Sequence, residues 1–114
     1  MDNKIFKYNA LEVHLDTSDY LVMERIQTAK DTHLERIAQP KSDNNVLEFK
    51  RIVIILTDFI DAVCGEGSSK KALGASITSL DEVTALTDAL NKFIIEQGDR
   101  RSEIMKKYSP KRNV

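Results

Sequence analysis

The chain has 114 residues, 41% of them hydrophobic and 31% charged, with a formal net charge of −1 and a pI near 6.1. That length suits one domain built on one core, the composition is that of a globular rather than a disordered chain, and the charge balance excludes a surface given over entirely to nucleic acid. The single cysteine, Cys64, admits no internal disulfide, and no secretory signal opens the chain, so a reducing cytoplasm is the expected setting. The longest uninterrupted apolar run, Ile52 to Leu56, is far shorter than the roughly 20 residues of a membrane span.

From the N-terminus, apolar and polar residues alternate on both sides of Asn9-Ala10, with Ile5 and Lys7 on one arm and Leu11, Val13 and Leu15 on the other. Period-two alternation broken by asparagine predicts a short β-hairpin. A lone hairpin is marginal in water, so this one must lay a face on the helices or pair with another chain. Asp16, Thr17 and Ser18 are strong N-cap types and predict a helix start. Val22, Ile26, Ala29 and Ile37 form its apolar stripe, with Met23 and Leu34 beside it, and it should end before Gln39-Pro40.

Pro40 to Asn45 reads as a turn into the most apolar stretch of the chain, Phe49 to Gly67. There Phe49, Ile52, Val53, Leu56, Phe59, Ile60 and Val63 recur at three- and four-residue steps. The β-branched run alone would also suit a buried strand, but the spacing continues on both sides and predicts a central helix, antiparallel to the one before it. Gly65 is expected to supply the left-handed residue past its last turn. Ser68 or Ser69 should then cap a brief helical turn over Lys70 to Leu73. Ser79-Leu80-Asp81-Glu82 fits a capping box. It opens a last helix whose apolar face is Val83, Leu86, Leu90, Phe93, Ile94 and Ile104, with Gly98 weakening it midway by roughly 1 kcal/mol relative to alanine. Ser109-Pro110 stops that helix. The predicted architecture is mainly α: a small antiparallel helical domain of three main helices plus one short helix, with a short N-terminal β-hairpin over 1–15. It forms a single domain over 1–114, with a flexible tail at 109–114.

Few residues suggest chemistry. Gly65-Glu66-Gly67-Ser68-Ser69-Lys70 looks like a phosphate cradle, yet a P-loop needs G-x-x-x-x-G-K-[ST] after a strand, and here a helix precedes the glycines. His14 and His33 fall in different elements and Cys64 has no second cysteine at metal-ligand spacing, so neither a metal site nor a Cys-His nucleophile is expected. Asp58 and Asp61, one helical turn apart, read as a solvated face. Residues Asp99 to Val114 carry Arg100, Arg101, Lys106, Lys107, Lys111 and Arg112 against Asp99 and Glu103. With Tyr108 as its one aromatic platform, this basic end favours a solvated tail or a protein contact over nucleic acid.

The order of features resembles the small tail assembly chaperones of long-tailed bacteriophages and Gram-positive prophages. The resemblance is carried by the N-terminal hairpin, the Asp16-x-x-Asp19 opening with Met23-Glu24-Arg25, Asp58-Phe59 followed by Gly65-Glu66-Gly67, Lys71-x-x-Gly74, and the closing Lys107-Tyr108-Ser109-Pro110-Lys111-Arg112. It implies a noncatalytic role without cofactors in the host cytoplasm, in which many copies cover the tape-measure protein and keep it soluble before the tail tube polymerises around it. A small structural or adaptor subunit that stays in the assembled particle is the alternative. The implied partners are the tape-measure protein and further copies of the chain. Candidate protein-binding side chains are Ile5, Phe6 and Val13 of the hairpin and the aromatic Phe49, Phe59, Phe93 and Tyr108.

Overall fold

A computed structural model describes residues 4–109. The elements run β1 (Ile5–Tyr8), β2 (Leu11–His14), α1 (Tyr20–Ile37), α2 (Asn45–Cys64), α3 (Ser68–Leu73) and α4 (Leu80–Tyr108). The chain is therefore mainly helical, with three long helices, one short helix and an N-terminal antiparallel hairpin. Most of the expected tail, residues 110–114, lies outside the described residues.

β1 pairs with β2 so that Phe6 faces Val13 and Tyr8 faces Leu11. Directly opposed residues share a face, so these four form the inward side. Phe6 and Leu11 are buried there, followed by Leu15 just past β2. The Phe6 ring lies 5.5 Å from Phe93 of α4, tilted by 60°. Two residues join the strands, and Asn9 adopts φ 53, a left-handed value that asparagine tolerates better than most residues. Its side-chain amide donates to the Ala72 carbonyl at 2.7 Å, so one residue both shapes the turn and pins it to α3. Asn9→Ala loses both functions and should cost about 1 to 2 kcal/mol in a urea titration. Asn9→Gly keeps the backbone freedom, loses only the hydrogen bond, and should cost less.

α1 begins later than Asp16 to Ser18. Its N-cap is Asp19, whose carboxylate accepts the Leu21 amide at 3.0 Å. The delay has a local cause: Gln97 of α4 accepts the Thr17 amide at 2.8 Å and donates to the Leu15 carbonyl at 2.7 Å, holding this segment out of helical geometry. Asp16 is engaged instead with the Ser18 amide and hydroxyl. α2 is capped by Asn44, whose side chain accepts from Val46 and Leu47. At its other end Gly65 has φ 117 and ψ 152, whereas Gly67, at φ 84 and ψ −1, is the left-handed residue. Neither Ser68 nor Ser69 caps α3. Both are buried, and the Ser69 amide donates to Asp61 of α2 at 2.8 Å. Ser79 caps α4 by accepting the Glu82 amide at 3.3 Å, and the helix runs unbroken through Gly98.

α2 is the central element, packed against α1, α3 and α4. Two arginines tie it antiparallel to α1. Arg25 donates to the Val63 carbonyl at 3.1 Å, and at the opposite end Arg51 donates to the Arg36 carbonyl at 2.8 Å. Phe59, Ile60 and Val63 join Ile26 and Ala29 of α1 and Val83, Leu86 and Leu90 of α4 in one core. That core does not cover the whole of the helical stripes. Leu34 and Ile37 at the end of α1, Phe49 near the start of α2 and Ile104 near the end of α4 are 64%, 43%, 45% and 51% exposed, although their spacing places them on apolar faces.

Candidate protein-binding surface

The α1–α2 pair has two sides. On one, His33, Leu34 and Phe59 line a cleft of about 340 Å³ together with Thr87, Asn91 and Ile95 of α4. On the other, α1 and α2 alone line an open groove of about 420 Å³. Ile55 forms its floor at 2% exposure and stands apart from the main core cluster. Leu21, Thr28, Ala29, Phe59 and Ala62 extend the lining, while Glu24, Arg25, Arg36 and Asp58 give it a polar rim. Arg36 and Asp58 bridge across the rim at 2.6 Å. Both side chains are substantially exposed, so this ion pair orients the rim more than it stabilises the fold.

The seven side chains singled out in the sequence are dispersed. Phe6 and Phe59 are core residues at 4% and 5% exposure, so neither ring is presented for docking; Phe59 meets the groove only from beneath. Ile5, Val13 and Phe93 are half-buried, whereas Phe49 and Tyr108 are exposed at opposite ends of the molecule's helices. The groove residues Leu21, Ile55 and Ala62 had a sequence signal of their own. Ile55, Phe59 and Ala62 recur at helical spacing on α2, and Leu21, Arg25, Thr28 and Thr32 do so on α1.

His33 and Cys64 sit near this surface without forming a reactive pair. The His33 ring lies 5.1 Å from Phe59, and its Nδ1 is buried without a hydrogen-bond partner. Burial lowers its pKa below the usual 6.5, and the nearby Arg36 guanidinium adds to the effect. Burial pushes the Cys64 thiol up to about 12, with Arg25 opposing and Asp61 adding to the shift. At neutral pH Cys64 is a small apolar core side chain. No group of three or more metal-ligating side chains occurs among the described residues. No described helix is long and apolar enough to cross a membrane.

The response to acid follows from three groups. Hydrogen bonds from the Ser18 hydroxyl and amide, with Lys4 3.3 Å away, hold Asp16 at about 2, down from 3.8. Glu48 is held at about 2, down from 4.5, first by hydrogen bonds from Arg51 and then by the Ser42 amide. Both carboxylates favour the ionised folded form, so their contribution is complete above the unfolded values and is lost as pH falls from about 4.5 to 2. His33 favours the neutral folded form, so its contribution is complete above 6.5 and declines below it. Chemical denaturation across pH should therefore show a shallow loss of stability starting below about 6.5 and a steeper one below about 4.5. His33→Gln should remove only the first, and Glu48→Gln should reduce the second.

Fold and groove together define a small α-helical protein with an N-terminal hairpin and an open, apolar, two-helix groove. The family model of unknown function DUF6673 matches residues 9–114, and the chain belongs to that family. No curated protein and no solved structure matches it.

Proposed function

We propose that this protein is a noncatalytic holdase for an elongated helical client, and that the client is the tape-measure protein of a long-tailed bacteriophage. The α1–α2 groove carries this reading. A long amphipathic client exposes an apolar stripe that would aggregate on its own, and an open apolar groove with a charged rim can cover successive turns of such a stripe. The groove floor is already set by Ile55, held at 2% exposure between two helices tied at both ends by Arg25 and Arg51. A preorganised groove loses little side-chain entropy when it is filled. The sequence resemblance to small tail assembly chaperones supplies the identity of the client.

Co-expression tests the proposal. A tape-measure fragment that is insoluble alone should become a soluble complex with this protein, and Thr28→Arg, which places a charge on the groove wall, should abolish the rescue. If the fragment precipitates equally with and without the protein, the holdase role is wrong. Mass spectrometry of mature particles separates a chaperone, which should be absent, from a structural or adaptor subunit, which should be present.

A further inference from the structure

We propose that Arg36 and Asp58 form a strap over the α1–α2 groove, which must part before a client helix seats on Ile55. This rests on reading the groove as the client site. The two arginine ties fix the register of the helices, with Arg25 joined to Val63 and Arg51 joined to Arg36. Asp58 stands five residues before Val63 and so faces the turn of α1 five residues after Arg25, around Lys30. Arg36 is six residues further along α1. Side chains on a helix lean toward its N-terminus, and in an antiparallel pair the two leans converge. Arg36 reaches back along α1, Asp58 reaches back along α2, and their tips meet at 2.6 Å.

The stretch they span holds Thr32 and His33 on α1 and Ile55 on α2, all of which line the groove. Ile55 is 2% exposed, although it floors an open groove and stands outside the main core cluster. Burial lowers the His33 pKa and the Arg36 guanidinium adds to the effect, which places that guanidinium back over the preceding turn. An arginine laid lengthwise over the floor accounts for both observations, since its methylene stem covers apolar surface while its charged head stays in water.

This contact is a strap rather than a staple. The helices are already held at both ends by arginines on backbone carbonyls, and those ties remain when Arg36 lets go of Asp58. Opening is therefore local and leaves the helix pair intact. The other half of the groove, around Leu21 and Ala62, is crossed by no ion pair among the described residues, and Leu21 is 60% exposed there. A client helix meets that half first and then displaces the strap to reach Ile55. An exposed ion pair contributes little, so the strap tunes affinity rather than switching it.

Nuclear magnetic resonance of the Ile55 methyl groups tests the strap without any client, because a soluble gadolinium chelate relaxes methyl groups according to their exposure. Asp58→Ala and Arg36→Ala each remove one end of the strap. Either should raise the relaxation at Ile55 about twofold or more and keep the melting temperature within about 3 °C of wild type. The fully buried Ile60 should be unchanged. Binding of a labelled helical peptide from the tape-measure protein, followed by fluorescence anisotropy, should tighten about two- to fivefold in both variants. Lys7→Gln, which removes another exposed ion pair, with Glu12 on the hairpin, should change neither readout. Unchanged shielding of Ile55 in either variant, or peptide binding by wild type as tight as theirs, overturns the inference. Ile55 opening in variants that, like wild type, bind no peptide upholds the strap and rejects the client assignment alone.

Discussion

Phe59→Ala is expected to lower the free energy of unfolding by about 3 to 5 kcal/mol, a large share of the roughly 5 to 15 kcal/mol that holds a domain of this size together. The ring is 5% exposed and belongs to the central cluster. It lies 5.1 Å from the His33 ring of α1 and borders Thr87 and Asn91 of α4. Truncation therefore leaves a cavity where three helices meet, and none can close it without giving up contacts to the other two. Phe49→Ala is the paired control. Its ring is 45% exposed near the first turn of α2, so its removal should cost less than about 1 kcal/mol. Urea unfolding of both variants checks the pair; equal costs would mean that the end of the α1–α2 hairpin is covered in solution.

Gln97→Ala should cost about 2 to 4 kcal/mol, although the side chain is only half-buried on α4. Its amide oxygen accepts from Thr17 at 2.8 Å and its amide nitrogen donates to Leu15 at 2.7 Å. Thr17 and Leu15 are 1% and 0% exposed. Alanine leaves a buried N–H and a buried C=O unpaired at the joint between hairpin and α1, and buried backbone groups without partners carry their full desolvation cost. Gln97→Glu is the informative companion, because a carboxylate still accepts from Thr17 but has no donor for the Leu15 carbonyl. It should fall between wild type and alanine at neutral pH. Amide exchange at Thr17 should accelerate in Gln97→Ala and stay protected in Gln97→Glu.

Helix identity and order were readable because the signals are local. Ser79 is a side-chain cap acting within three residues, and the spacing from Val53 to Val63 needs no knowledge of the partner helix. The start of α1 was misplaced because it is not a local matter. Three good caps in a row, Asp16, Thr17 and Ser18, are overruled by a glutamine some 80 positions away in sequence. The same holds for Ser68 and Ser69, whose capping role is displaced when Asp61 takes the Ser69 amide. The surface was harder still to read. Periodicity marks a residue as apolar-facing but not as covered, so Phe59 and Phe49 look alike in sequence and differ in the fold by which helix happens to reach them.

By itself the sequence determined a mainly helical chain with an N-terminal hairpin, the order and approximate limits of its helices, and a basic C-terminal end, because capping, periodicity and charge are properties of neighbouring residues. Only the tertiary structure decided which apolar stripes are closed and which stay open. α1 and α2 alone line one groove, α4 joins them along a second, and the end of α4 leaves Ile104, Met105 and Tyr108 exposed. Burial depends on where one helix ends relative to another, and that relation is fixed by long-range contacts such as Gln97 to Leu15 and Arg51 to Arg36, which no local pattern encodes.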